Sequence, residues 1–337
     1  MSNQPNNCPK TRPVWAYSPA PMPLGRPNHG TLRSNTSAVS LLTRPRKTVT
    51  FKTSAAFAME TSISAEPDAQ VPTKAIAPRT LLICHHDAPL DFDSLANWMA
   101  SFSNLVGVVI LEEKRDQVKR RVQREHQRVG TLRFLDVLAF RLFYKLFLAG
   151  ADTRWTSSQV DLFRQRYPAG IAPVVRSHSP NTPEVEKFIR EAHPDIVIAR
   201  CKFIIKEQVF TIPSVGTFVM HPGICPEYRN AHGCFWALAH DDVDRVGVSL
   251  LKIDKGVDTG PIYGYFGYKY DEVAESHYRI QCRCVLENLG ALAAKLLEIY
   301  RGSATAIDIT GRKSAAWGQP WMTAYLRWKS HARRRSR

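Results

Sequence analysis

The strongest constraint on this chain is the recurrence of short, largely apolar runs at residues 80–84, 105–111, 195–199, 216–221 and 247–253, each stopped by polar or turn-forming residues. Their side chains are apolar at consecutive positions rather than at alternate ones. That pattern suits strands buried on both faces, as in a parallel sheet covered by crossover helices. The intervening stretches have helical spacing. Leu95, Trp98 and Met99 share one side of a helix over 90–100, with Asp91 or Asp93 as its cap. Thr182, Pro183, Glu184 and Glu186 form a good start for a helix over 182–192. Short helices are expected around Glu207 and over 231–240, and a long one over 275–300, which brings Ile280, Cys284, Leu286, Leu289 and Leu296 to the core. Strands alternating with helices give an α/β fold, a three-layer sandwich on a Rossmann-like, mostly parallel sheet.

Two regions depart from a minimal α/β unit. Residues 114–128 carry seven Lys or Arg against Asp116 and Glu125, and lead into 132–148, where Leu135, Leu138, Leu142 and Leu146 recur at helical spacing. With a further helix at 157–167, this predicts a helical insert over about 114–167. The first 58 residues contain eight basic side chains and no acidic one, half of the formal charge of +16. Residues 1–78 are rich in Pro, Ser, Thr and Asn and offer little apolar burial to offset ordering entropy, so they read as a disordered leader. An organelle-targeting peptide, a true start at Met59 and a flexible tail are three readings of it. The folded part divides into an α/β domain at 79–270 and a C-terminal helix with an aromatic and basic tail at 271–337, packing on the same domain.

Seven cysteines without a CxxC pair suggest a reducing compartment, and cytoplasmic localisation is expected, with an organelle as the alternative. The best apolar stretch, 135–148, is interrupted by Asp136, Arg141 and Lys145, so neither a spanning segment nor a membrane partner is expected.

Ligands of open α/β sheets bind beyond the carboxyl ends of the strands. His221 closes one such run, and Asp258 lies in the Asp258-Thr259-Gly260-Pro261 loop after another. An imidazole beside a carboxylate can do acid–base work or support developing negative charge. The ordinary reading is a hydrogen-bonded surface histidine and a common turn. No metal site is expected, because the adjacent His85 and His86 with Asp87 lack placed partners, and the first strand has no Gly-rich phosphate loop.

The stretch Met220-His221-Pro222-Gly223-Ile224-Cys225-Pro226-Glu227-Tyr228-Arg229, then Trp236-Ala237, Val248-Ser249-Leu250-Leu251 and Asp258-Thr259-Gly260-Pro261-Ile262, resembles the formyltransferase family. The resemblance implies a formyltransferase-like fold and transfer of a formyl group from 10-formyltetrahydrofolate, as cosubstrate, to a small-molecule amine. His221 would support the oxyanion, and Asp258 would orient groups and move protons. The main chain around Lys255, Gly256, Val257 and Gly260, with Leu251 beside it, would hold the pterin, and the 226–233 loop would shape the acceptor pocket. The family's asparagine, two residues before the histidine, is here Val219, and many members have a histidine where Leu251 stands. Asn230 and His232 are the candidates for the missing hydrogen-bond donor. The alternatives are a formyltetrahydrofolate hydrolase, a non-catalytic folate-binding or regulatory protein, motivated by Val219, and an RNA-binding protein. The basic insert is compatible with an anionic amine. A nucleic-acid partner is not expected.

Overall fold

A computed structural model describes residues 77–167 and 169–337. All but the last two residues of the expected leader, Met59 included, lie outside the described residues. The central sheet has seven strands. Five are parallel: β1 (Arg79–His85), β2 (Asn104–Leu111), β3 (Val174–Ser177), β4 (Ile196–Arg200) and β5 (Gly216–Pro222), in the spatial order β3-β2-β1-β4-β5. Beyond β5 the sheet continues with antiparallel β7 (Val248–Lys252) and β8 (Ile262–Phe266). Between them in sequence, β6 (Arg229–Asn230) pairs instead with β9 (Ala316–Trp317) in a small parallel ladder.

The strands are apolar on both faces because both are covered. Leu82, Cys84, Ile196, Ile198, Phe218 and Met220 face one core with Trp98, Phe140, Trp236, Ile280, Leu292 and Trp328. These partners come from α1 (Ala96–Phe102), α3 (Thr131–Phe143), α7 (Gly233–Ala239), α8 (His277–Leu286), α9 (Leu289–Tyr300) and α10 (Met322–Arg335). Leu81, Ile83, Val197 and Ala199 face the other core, against α5 (Pro183–Ala192) and α6 (Glu207–Phe210). Each large side chain sealed this way contributes about 1.5–3 kcal/mol. Thr182 caps α5 by accepting from the Val185 amide at 3.3 Å, as its sequence position predicts.

Three local expectations change. The insert is a nearly continuous helical run: α2 (Arg115–Val129), α3, a π-helical turn at Tyr144–Leu148 and α4 (Ala149–Arg166), with Gly130 at positive φ between the first two. On α3 the core side chains are Val137 and Phe140, while Leu135 and Leu142, with Leu146 in the π-helical turn that follows, point to solvent. The expected long helix over 275–300 breaks at Asn288. The Asn288 side-chain amide donates to the Cys284 and Gly267 carbonyls, closing α8 before α9 begins. Among the described residues no helix is long and apolar enough to cross a membrane.

Candidate active site

β5 carries Val219 and His221 on one face, opposite Phe218 and Met220, and delivers the imidazole to the carboxyl end of the parallel strands. The chain then turns through Gly223. A Cβ there would lie 2.7 Å from the Tyr228 carbonyl oxygen, 2.8 Å from the Gly233 Cα and 3.0 Å from His221 Nε2. Only glycine lets the 224–233 loop close around the ring. Directly across the ladder from His221 stands Ser249. Its hydroxyl donates to the Gly223 carbonyl at 2.6 Å and accepts from the Cys225 amide at 3.0 Å, fixing the turn.

Asp258 reaches this point by a route the strand pattern did not suggest. β7 is antiparallel to β5, so the loop after Lys252 leaves from the far end of the sheet and must double back. It does so tightly, with Gly260 packed on the Lys252 carbonyl and the Lys252 amide donating to the Pro261 carbonyl at 2.9 Å. Asp258 adopts positive φ, which aspartate tolerates better than most residues. Its Oδ2 stands 3.4 Å from His221 Nδ1 and accepts from the Asn230 amide at 2.7 Å. His221 Nε2 is 2.8 Å from the Tyr228 carbonyl oxygen. Both ring nitrogens therefore face oxygen atoms of the protein.

The remaining candidates divide. Asn230 belongs to the pair through its main chain, but its side chain donates to the Trp317 carbonyl rather than standing free as an oxyanion donor. His232 faces away, its ring 6.0 Å from that of His277, with both Nδ1 atoms sealed from water and unpartnered. Burial pushes His232 down to about 4 and His277 well below its ordinary value. Leu251 lies opposite Val219 in the ladder and is buried with Cys225 and Ile262, so it packs rather than contacts a ligand through a polar atom. Burial raises the Cys225 thiol to about 12, which leaves it un-ionised. Lys255, Gly256 and Val257 are exposed on the returning loop. Lys255 pairs with Glu207 at 3.1 Å, the Gly256 amide donates to Asp254 Oδ1, and the Val257 carbonyl accepts from Arg229. Away from the pair, His85 stacks on Phe203 and accepts the Lys202 amide.

Residues that the sequence reading did not single out hold the site together. Arg312 forms a two-pronged bond to Glu227 and donates to the Tyr265 hydroxyl, which in turn donates to the Cys225 carbonyl. Trp317 stacks near Tyr228 and donates to the Glu227 carbonyl. A serine inside an otherwise apolar strand was a legible signal for Ser249. Arg312, far along the chain, left none, while Trp317 belongs to the aromatic C-terminal tail visible in the sequence, which gave no sign of its bond to the Glu227 carbonyl.

Residues 151–266, from within α4 to the end of β8, match the family model described as formyl transferase. A methionyl-tRNA formyltransferase of Dehalococcoides mccartyi is 39% identical over 95 residues, 28% of this chain and 30% of that protein. One from Myxococcus xanthus is 33% identical over 91 residues, 27% of this chain and 29% of that protein. The match thus spans less than a third of these relatives' length. Among solved structures, a phosphoribosylglycinamide formyltransferase from Anaplasma phagocytophilum is 13% identical, with a TM-score of 0.43, 72% of this chain and 100% of that one being covered. The likeness to formyl transferases in sequence is thus carried by residues 151–266, about a third of the chain.

Proposed function

We propose that this chain transfers a formyl group from 10-formyltetrahydrofolate to a small-molecule amine. The observation that supports this most is the contact of 3.4 Å between His221 and Asp258, both within the stretch that matches the family. The residues suit the formyl-bearing end of such a donor, offering an imidazole N–H and a carboxylate side by side. The exposed main chain around Lys255, Gly256 and Val257 suits its heteroaromatic end. When bound, the donor supplies a formyl group activated for attack by an amine.

The chain's own contribution follows from the contacts. Nε2 of His221 is taken by the Tyr228 carbonyl, so the oxygen that becomes anionic as the amine adds to the formyl carbon would share the Nδ1–H, whose contact with Asp258 is the longer one at 3.4 Å. Asp258 accepts the proton shed by that amine and returns it to the folate nitrogen as the bond between that nitrogen and the formyl carbon breaks, releasing tetrahydrofolate and the formylated amine; it also keeps the imidazole oriented. The Asn230 amide holds Asp258, the Tyr228 carbonyl holds the far side of the ring, and Ser249 fixes the turn between them. No covalent intermediate on the protein is required, since positioning the two reactants supplies much of the rate.

The test is mass spectrometry of amine mixtures incubated with the protein and 10-formyltetrahydrofolate. A product heavier by one formyl group supports the reading, and Asp258→Asn or His221→Ala then lowers its rate about 10²- to 10³-fold. Free formate without a formylated amine would replace transfer by hydrolysis. Folate binding with no turnover would favour a non-catalytic role, the reading to which the apolar Val219 and Leu251 pair lends weight.

A further inference from the structure

An exposed apolar surface lies on the insert. Leu135, Leu142 and Leu146 form a stripe along α3 and the π-helical turn that follows, and Phe147 adjoins it. Leu142, Leu146 and Phe147 are 59%, 64% and 68% exposed, although large apolar side chains in a row are normally covered. α3 packs between two basic helices, α2 and α10. On α2, Lys119, Arg120 and Arg124 are exposed, and at the end of α10 so are Arg333, Arg334 and Arg337. None of these six has an ion-pair partner among the described residues.

The second basic bank lines a cavity of about 670 Å³, which the stripe adjoins through the contact of Phe147 with Phe143 but does not itself line. Its walls include Phe143, whose ring lies 5.1 Å from that of Phe147, together with Leu148, Leu326, Arg333, Arg334 and Arg337. The other charged groups in the wall are already engaged. Arg279 binds Asp152, Glu275 binds Arg283, and Lys329 donates to the main-chain carbonyls of Glu272 and Glu275. The three arginines are what the cavity offers to a ligand.

We propose that this face docks the protein on a membrane surface rich in anionic phospholipid, with the leucine stripe entering the acyl boundary and a phosphate headgroup seated in the arginine-lined cavity. An apolar ridge flanked by basic banks is the arrangement by which a helix lies in the bilayer interface without crossing it. Charge selects this occupant over the alternatives. A second copy would bring two sets of unpaired arginines together, and the leader of this chain, with eight basic and no acidic residues among its first 58, carries the same sign. Nucleic acid would leave the leucines uncovered, since bases stack on aromatic rings.

The experiment is co-sedimentation of the full chain with vesicles of phosphatidylcholine alone or mixed with phosphatidylglycerol. Because the basic leader also attracts anionic vesicles, the variants decide the matter. Replacing Leu142 and Leu146 together by glutamine should weaken binding to the mixed vesicles at least tenfold. Arg333→Gln, Arg334→Gln and Arg337→Gln combined should weaken it about a hundredfold. Both sets lie on the surface, and an unchanged circular dichroism spectrum verifies that each variant folds. Unchanged vesicle binding by the leucine variant overturns the proposal. So does full release from the mixed vesicles by millimolar inorganic phosphate at constant ionic strength, which would make the cavity a site for free phosphate. A dimer in sedimentation velocity that the leucine variant dissolves would assign the stripe to a second copy.

Discussion

Replacing Gly260 by alanine tests the most constrained step in building the site. A Cβ at this position would stand 1.9 Å from the Lys252 carbonyl oxygen and 3.1 Å from its carbonyl carbon. Real Cβ atoms stay beyond 3.0 Å from such neighbours, so the backbone must move by about 1 Å. The loop has no slack to absorb this. The Lys252 amide is bonded to the Pro261 carbonyl at 2.9 Å, and the Ile253 amide to the Thr217 carbonyl at 2.7 Å. The displacement therefore passes to Asp258, two residues away, and opens its contact with His221. A misplacement of about 1 Å costs on the order of a hundredfold in rate. Overpacking of this kind costs about 1–3 kcal/mol of stability, which is a fall of several degrees in Tm for a domain of this size. Steady-state formyl transfer and a thermal melt give the two readouts. Gly290→Ala is the control, because nothing lies within 4 Å of its added methyl and helix α9 gains up to about 1 kcal/mol from alanine. Wild-type turnover and an unchanged Tm in Gly260→Ala would refute the role given to this loop.

Ser249→Ala removes the hydroxyl that serves both the Gly223 carbonyl and the Cys225 amide in a fully buried setting, so urea denaturation should register a loss of about 2 kcal/mol. A second expectation concerns acid. Burial lowers the His232 ring from its ordinary 6.5 to about 4, so the unfolded chain takes up this proton before the native one. Stability is then full above about pH 6.5 and falls as the pH drops toward 4, by about 2 kcal/mol between about pH 7 and about pH 5. Thermal melts of the wild type and of His232→Asn, an exchange that keeps a residue tolerant of positive φ, should differ in this slope.

The sheet was largely legible because its strands are apolar on both faces. Of the expected caps, Asp91 is not one, since the helix begins as a π-helical turn over Leu90–Leu95 without a side-chain cap and Asp91 pairs with Arg200 at 3.0 Å instead. Thr182 was read as a cap from its neighbours alone, and the hydroxyl does accept the Val185 amide. What failed was inference from periodicity where packing decides direction. The leucine spacing on α3 correctly marked a helix but did not reveal which side faces the core. Val137 and Phe140, which carry no such repeat, are the buried ones. The long helix over 275–300 failed for a different reason. Nothing local forbids helix at Asn288, and the break depends on a side-chain amide finding the Gly267 carbonyl across the fold.

The site shows the same division between local and long-range information. His221 and Asp258 could be named because each ends a recognisable segment, but the reason they meet lay in the antiparallel turn of β7, which an apolar run does not encode. The register also explains the two departures from the family pattern. Val219 and Leu251 are 32 positions apart in sequence and opposite each other in the ladder, packed with Cys225 and Ile262. Cross-strand neighbours on one face share their surroundings, so a polar residue at either position would face an apolar partner. An asparagine at 219 would be left with an unmet amide beside Leu251, just as a histidine at 251 would be beside Val219. The two substitutions thus form one coherent exchange of a polar patch for an apolar one. The hydrogen bonds that such a patch would supply must come from groups that the loops bring in, and in this chain those loops are clamped by Arg312 and Trp317 of the C-terminal segment.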